Sequence, residues 1–198
     1  MLFSTCVEAV QDICSQSPGR RLAYFYFDFQ NAETHKVETM LRSLVRQLSA
    51  MNVDIPETVH ALYTQLSDKG HSPTYQELCT VFFSMAQASD EECYIMLDAL
   101  DEVPEVSRCE ILKFIQNATT MNFENLHILV TSRDEVDIRT AVSHMPHVAV
   151  ELAEKDVDAD IRAYVRSCLA EPTERLSGLS DALKTEIEAK VGNEAHGM

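Results

Sequence analysis

The sequence predicts an α/β fold: a mainly parallel sheet flanked by helices, followed by the first helices of a helical subdomain. Three observations carry this. Tyr94-Ile95-Met96-Leu97 is a short unbroken apolar run that meets acids at once. Continuous hydrophobicity, rather than alternation, marks a strand buried on both faces of a parallel sheet. Leu126-His127-Ile128-Leu129-Val130-Thr131 is the next strand candidate, ending in Ser132-Arg133. Helical patterns separate the strand candidates, and alternating strands and helices are the mark of βαβ units.

Phe3, Cys6, Val7, Val10 and Ile13 fall at helical spacing, and Ser17-Pro18-Gly19 ends that helix as a turn. The aromatic-rich segment Leu22 to Phe29 reads as a strand. Val37, Met40, Leu41, Leu44, Val45 and Leu48 then form an apolar stripe on one helix face. Pro56 opens a further helix with Val59, Leu62, Tyr63 and Leu66 inward, and Gly70 closes it. Thr74 with Glu77 is a capping box for a helix bearing Leu78, Val81, Phe82 and Met85. After the strand from Tyr94, Pro104 starts a helix with Ile111, Leu112, Phe114 and Ile115 inward. A short helix is expected from Val136 to Val142, then a strand from His147 to Leu152. Beyond it, Asp156 to Ala170 and Ser180 to Val191 are helical with no strand between them. The expected division is therefore residues 1–152 and 153–198, with the boundary near Ala153.

Composition narrows the function. The 198 residues carry a net charge of -16, which argues against nucleic acid as a partner, because phosphate neutralisation needs clustered Lys and Arg. No apolar run approaches the roughly 20 residues of a membrane span, and the N-terminus lacks the basic start of a signal peptide. The six cysteines form no C-x-x-C pair and fit no zinc spacing; they imply free thiols and a cytoplasmic location.

The chemistry concentrates at two strand ends. Ligands of open α/β sheets bind just beyond the carboxyl ends of the strands. Asp98 lies there, followed by Asp101 and Glu102. Such carboxylates must share protons or hold a cation, and Mg²⁺ is usually held by one or two carboxylates plus substrate phosphates. Asp98 is the metal candidate; Asp101 or Glu102 is suited to polarise an attacking water. Arg133, at the end of the next strand, has the fork and fixed charge to meet a phosphate. An acidic loop favouring a helix start, and a surface Arg paired with Asp134 or Glu135, are the plainer readings of the same residues. A Cys93–His127 nucleophile is disfavoured, since both would lie at amino ends of strands. The pattern G-x-x-x-x-G-K-[ST], which cradles phosphates, does not occur among the five glycines.

Taken together, four segments resemble the NACHT domain of STAND-class P-loop NTPases, in particular the nephrocystin-type N-terminal NACHT modules of fungal NLR-like proteins. They are Gly19 to Phe29, Leu41 to Leu48, Ile95 to Glu102 and His127 to Arg133, in the family's order. The resemblance implies a P-loop-NTPase-like sheet, incomplete at its N-terminal side, with Ile95 to Glu102 as the Walker B strand. Asp98 would be the Mg²⁺-associated acid, Asp101 and Glu102 the catalytic-side acids, and Arg133 the sensor arginine, here followed by Asp134 where the family often has Pro. The helix from Phe3 would be the one that follows the Walker A loop, so the chain is expected to be a fragment of a nucleotide-dependent signalling switch. In such a switch ATP or GTP with Mg²⁺ controls self-association or contact with other signalling proteins. Without Walker A the chain itself is expected to be inactive and to bind nucleotide weakly or not at all. Two alternatives stand beside this: a short interaction module that keeps the fold without catalysis, and a metal-dependent hydrolase built on Asp98, Asp101 and Glu102.

Overall fold

The computed structural model describes residues 2–17, 19–50, 57–70, 72–87, 92–121, 123–151, 163–170 and 179–194. It divides into two compact units, Met1–His147 and Val148–Met198. In the first unit the elements run α1 (Leu2–Gln16), β1 (Arg20–Tyr26), α2 (Val37–Ala50), α3 (Glu57–Lys69), α4 (Tyr75–Gln87), β2 (Glu92–Asp98), α5 (Glu105–Thr120), β3 (Leu126–Val130) and α6 (Val136–Val142). The second unit shows α7 (residues 163–170) and α8 (Asp181–Glu194). The expected α/β class, with a parallel sheet flanked by helices, is what the chain adopts.

The sheet is three-stranded, in the order β1-β2-β3, and both pairings are parallel. Central β2 explains its own sequence. Cys93, Ile95 and Leu97 enter the large core formed with α2, α4 and α5, while Met96 joins Phe3, Val7 and Leu22 beneath α1. Both faces are covered, so no polar position is tolerated until the strand ends. The α2 stripe read from the sequence is buried at all six positions, Val37 through Leu48. Phe82 and Phe114 meet edge to face at 5.2 Å in the centre of the same core. The capping box forms as expected: the Thr74 amide donates to Glu77 Oε2 at 2.8 Å.

The two sheet edges differ. On β1, the side-chain amide of Gln47 from α2 acts as a substitute strand: the Tyr24 N–H donates to its Oε1 at 3.1 Å, and its Nε2 donates to the Tyr24 carbonyl at 2.8 Å. On β3, no strand pairs with the outer side among the described residues. Its residues are all at least partly exposed, and Leu129 remains 43% exposed.

Three expectations are corrected. Tyr63, expected to face inward from α3, is 71% exposed. The first strand stops at Tyr26 rather than Phe29, because its ladder partner β2 stops opposite, at Asp98. The Phe27 amide makes one last bond to the Asp98 carbonyl (3.1 Å), and the Asp28–Asn31 turn follows. The strand expected from His147 to Leu152 is not formed over His147–Glu151, which has no regular structure. Its alternating valines were a strand signal, but Val148 and Val150 are 92% and 82% exposed. An extended segment becomes a strand only when a neighbour accepts its ladder bonds. Pro56, Leu152, the boundary at Ala153 and the expected helix before residue 163 lie outside the described residues.

Candidate functional site

The sheet's carboxyl ends bring the sequence candidates to one place. β2 ends at Asp98, and the next residue, Ala99, turns the chain with φ of 57°, the left-handed region. A short 3-10 turn, Leu100–Glu102, follows. Leu100 and Val103 are 1% and 0% exposed, so two apolar anchors hold the turn down while Asp101 and Glu102 lie between them. The sequence thus flanks two acids with two anchors over four residues, and packing fixes where the acids sit.

The segment that follows adjacent β3 supplies Thr131 and Arg133. The Thr131 hydroxyl donates to Asp98 Oδ1 at 2.6 Å and accepts from the Ala99 N–H at 2.9 Å. Main-chain bonds reinforce it: the Thr131 amide donates to the Leu97 carbonyl (2.9 Å), and the Leu100 amide to the Thr131 carbonyl (3.0 Å). One hydroxyl therefore stabilises a strained backbone turn and orients the leading carboxylate. Arg133 donates its backbone N–H to Asp101 Oδ1 at 3.1 Å, and its Nε lies 3.5 Å from Asp101 Oδ2. The Arg133 side chain is 77% exposed while that of Asp101 is 11% exposed, so the guanidinium reaches solvent over a nearly buried partner. Glu102 turns elsewhere, accepting from the Phe29 amide at 3.1 Å.

The four candidates are thus neighbours at one sheet end, but the three acids do not converge. Each is engaged by a different donor: Thr131, Arg133 and the Phe29 backbone. Among the described residues no three His, Cys, Asp or Glu side chains gather as a metal-binding group. Asp134, which follows Arg133, is taken up by Arg139 of α6 at 2.7 Å.

The matching family model, nephrocystin 3, N-terminal, covers residues 1–133. The chain belongs to the nephrocystin 3 N-terminal family. No curated protein and no solved structure matches it. The matched span of this nephrocystin 3 N-terminal chain runs from α1 through β3 and ends on Arg133, so it includes Asp98, Asp101, Glu102 and Thr131 and stops short of α6.

Sequence reasoning missed Thr131, Arg108 and the backbone of Phe29. Thr131 had a signal: it ends an apolar strand next in line to the one ending at Asp98, where a hydroxyl meets a carboxylate. Away from this end, Glu92 and His127 pair, and Tyr94 stacks on His127 with ring centroids 5.0 Å apart. Cys93 is fully buried at the amino end of β2, as a small core hydrophobe. No helix among the described residues is long and apolar enough to cross a membrane.

Proposed function

We propose that the chain is the acid and sensor portion of a NACHT-type nucleotide switch, in which ATP or GTP with Mg²⁺ sets an assembly state for signalling. The observation that supports this most is the Asp98–Thr131 contact: the carboxylate closing the central strand is oriented by the residue just after its neighbour, at the sheet end where ligands of α/β folds bind. Mg²⁺ takes oxygen donors, keeps several waters, and is usually held by one or two carboxylates together with substrate phosphates. Asp98 would hold the ion, which would neutralise charge on the transferring phosphate. Asp101, held by Arg133, and Glu102, held by the Phe29 amide, would steer the attacking water; Arg133, exposed and charged, would meet the terminal phosphate.

A second reading, an interaction module that keeps the fold without catalysis, draws on a specific observation. All three acids already accept protein hydrogen bonds and form no joint cluster.

One experiment separates the two. Titration calorimetry of the 198-residue chain with Mg-ATP should show no micromolar binding, because no G-x-x-x-x-G-K-[ST] loop supplies phosphate contacts. Joining a strand bearing that loop, from a nucleotide-binding family member, ahead of the chain should create binding that Asp98→Ala removes. A joined, folded chain that stays silent would favour the interaction module. Micromolar binding by the chain alone would contradict the proposal.

A further inference from the structure

Arg108 lies in the first turns of α5 and is 6% exposed, one of two buried charged residues in the described chain. Its guanidinium uses every side. Nε donates to the Val103 carbonyl at 3.0 Å, and Nη2 to the Asp101 carbonyl at 2.9 Å. Nη1 donates to both carboxylate oxygens of Asp137, at 2.8 and 3.0 Å. Asp137 sits in the first turn of α6 and lies beyond the span that the family model matches. One side chain therefore ties together the acidic turn after β2, the start of α5 and the start of α6.

The segment between β3 and α6, residues 131–135, carries Arg133. It is pinned at one end by Thr131 on Asp98 and at the other by Asp137 on Arg108. Arg133 meets Asp101 midway between the pins. A buried ion pair adds little net stability over an apolar pair of similar volume, because desolvation offsets its Coulomb gain. What it adds is register. The planar fork bonds four oxygens in fixed directions, which a lysine point charge cannot do.

We infer that Arg108 and Asp137 form a positioning pair that sets the separation of Asp101 and Arg133, and whose parting frees the Arg133 segment and α6 from the acidic turn. Its use as a regulatory latch rests on the nucleotide-switch reading; the coupling itself belongs to the chain and is measurable without nucleotide.

The test is residue-resolved amide hydrogen exchange on the full chain. The variants are Arg108→Lys, Asp137→Asn and the double variant Arg108→Met/Asp137→Leu, which refills the site with apolar volume. In all three the Arg133 amide should exchange faster by about tenfold or more, while the Ile95 and Leu97 amides of β2 change by less than about twofold. Uniform acceleration at all three amides would make Arg108 merely structural and overturn the inference. An Arg133 amide as protected as in the parent chain would overturn it too, and so would failure of the double variant to fold. Silence of the loop-joined chain toward Mg-ATP would count against the switch and leave this exchange pattern standing.

Discussion

Replacing Thr131 with valine keeps the shape and removes one oxygen, which isolates what that oxygen does. Two bonds vanish together. The donation to Asp98 Oδ1 at 2.6 Å is charge-assisted, and bonds of that kind contribute about 1.5–3 kcal/mol. The Ala99 N–H, held at 2.9 Å, loses its acceptor, and a neutral bond contributes about 0.5–1.5 kcal/mol. Both sites are part-buried, so water recovers some of the loss, and the net cost should be about 2–3 kcal/mol. Ala99 needs that anchor because its φ of 57° is unfavourable for any residue with a Cβ. For a cooperative unit the size of Met1–His147 this corresponds to a fall in Tm of roughly 5–10 °C. Thr131→Ser retains the hydroxyl and should cost less than about 1 kcal/mol, chiefly the lost methyl. Urea unfolding of the three chains, read by circular dichroism, gives the comparison. Equal losses for the valine and serine variants would refute the reasoning, since the methyl rather than the hydroxyl would then be holding the turn.

Two further outcomes follow from other parts of the chain. Gln47→Leu should cost about 1–2 kcal/mol and increase self-association, because it strips the amide that satisfies Tyr24 and bares the β1 edge; unfolding and light scattering report the two effects, and an unchanged scattering signal would argue against edge protection. The Tyr75 phenol is pushed up to about 12, mainly by burial and then by its bond to Cys79. The neutral phenol is thus favoured in the fold, so stability should be complete below the ordinary tyrosine range and decline as pH rises toward 12. Phenolate absorbance should lose one tyrosine's worth of late titration in Tyr75→Phe; an undiminished late amplitude would assign it elsewhere.

Much of the fold was legible because burial writes itself into spacing. The α2 stripe from Val37 to Leu48, the continuous run of β2 and the short α6 each emerged at their expected places, since apolar periodicity reports which faces are covered. The failed strand at His147–Glu151 shows the limit of that logic. Alternating valines state a preference for pairing and cannot supply the partner. The site was legible where charge stands out against an apolar background, as at Leu97-Asp98. It was not legible where a polar residue works from inside an apolar face. Arg108 lies three and four residues before Ile111 and Leu112 and shares their buried stripe, while Gln47, three residues after Leu44, flanks one half-buried. A polar side chain at such a position is a signal for an internal hydrogen-bonding task, but the spacing gives no hint of which carbonyls it serves.

Gln47 also gives the sheet a direction of growth. Its side-chain amide occupies Tyr24 on the β1 edge, while among the described residues the outer side of β3 is left open to an added strand. A parallel newcomer there would cover Leu129 and, at about 4.8 Å per strand, end one spacing from Thr131 and about two from Asp98. The residues following such a strand would emerge at the sheet end that carries Arg133. The open edge thus lies on the side of the sheet nearer Thr131, and the amide-occupied edge on the side away from it.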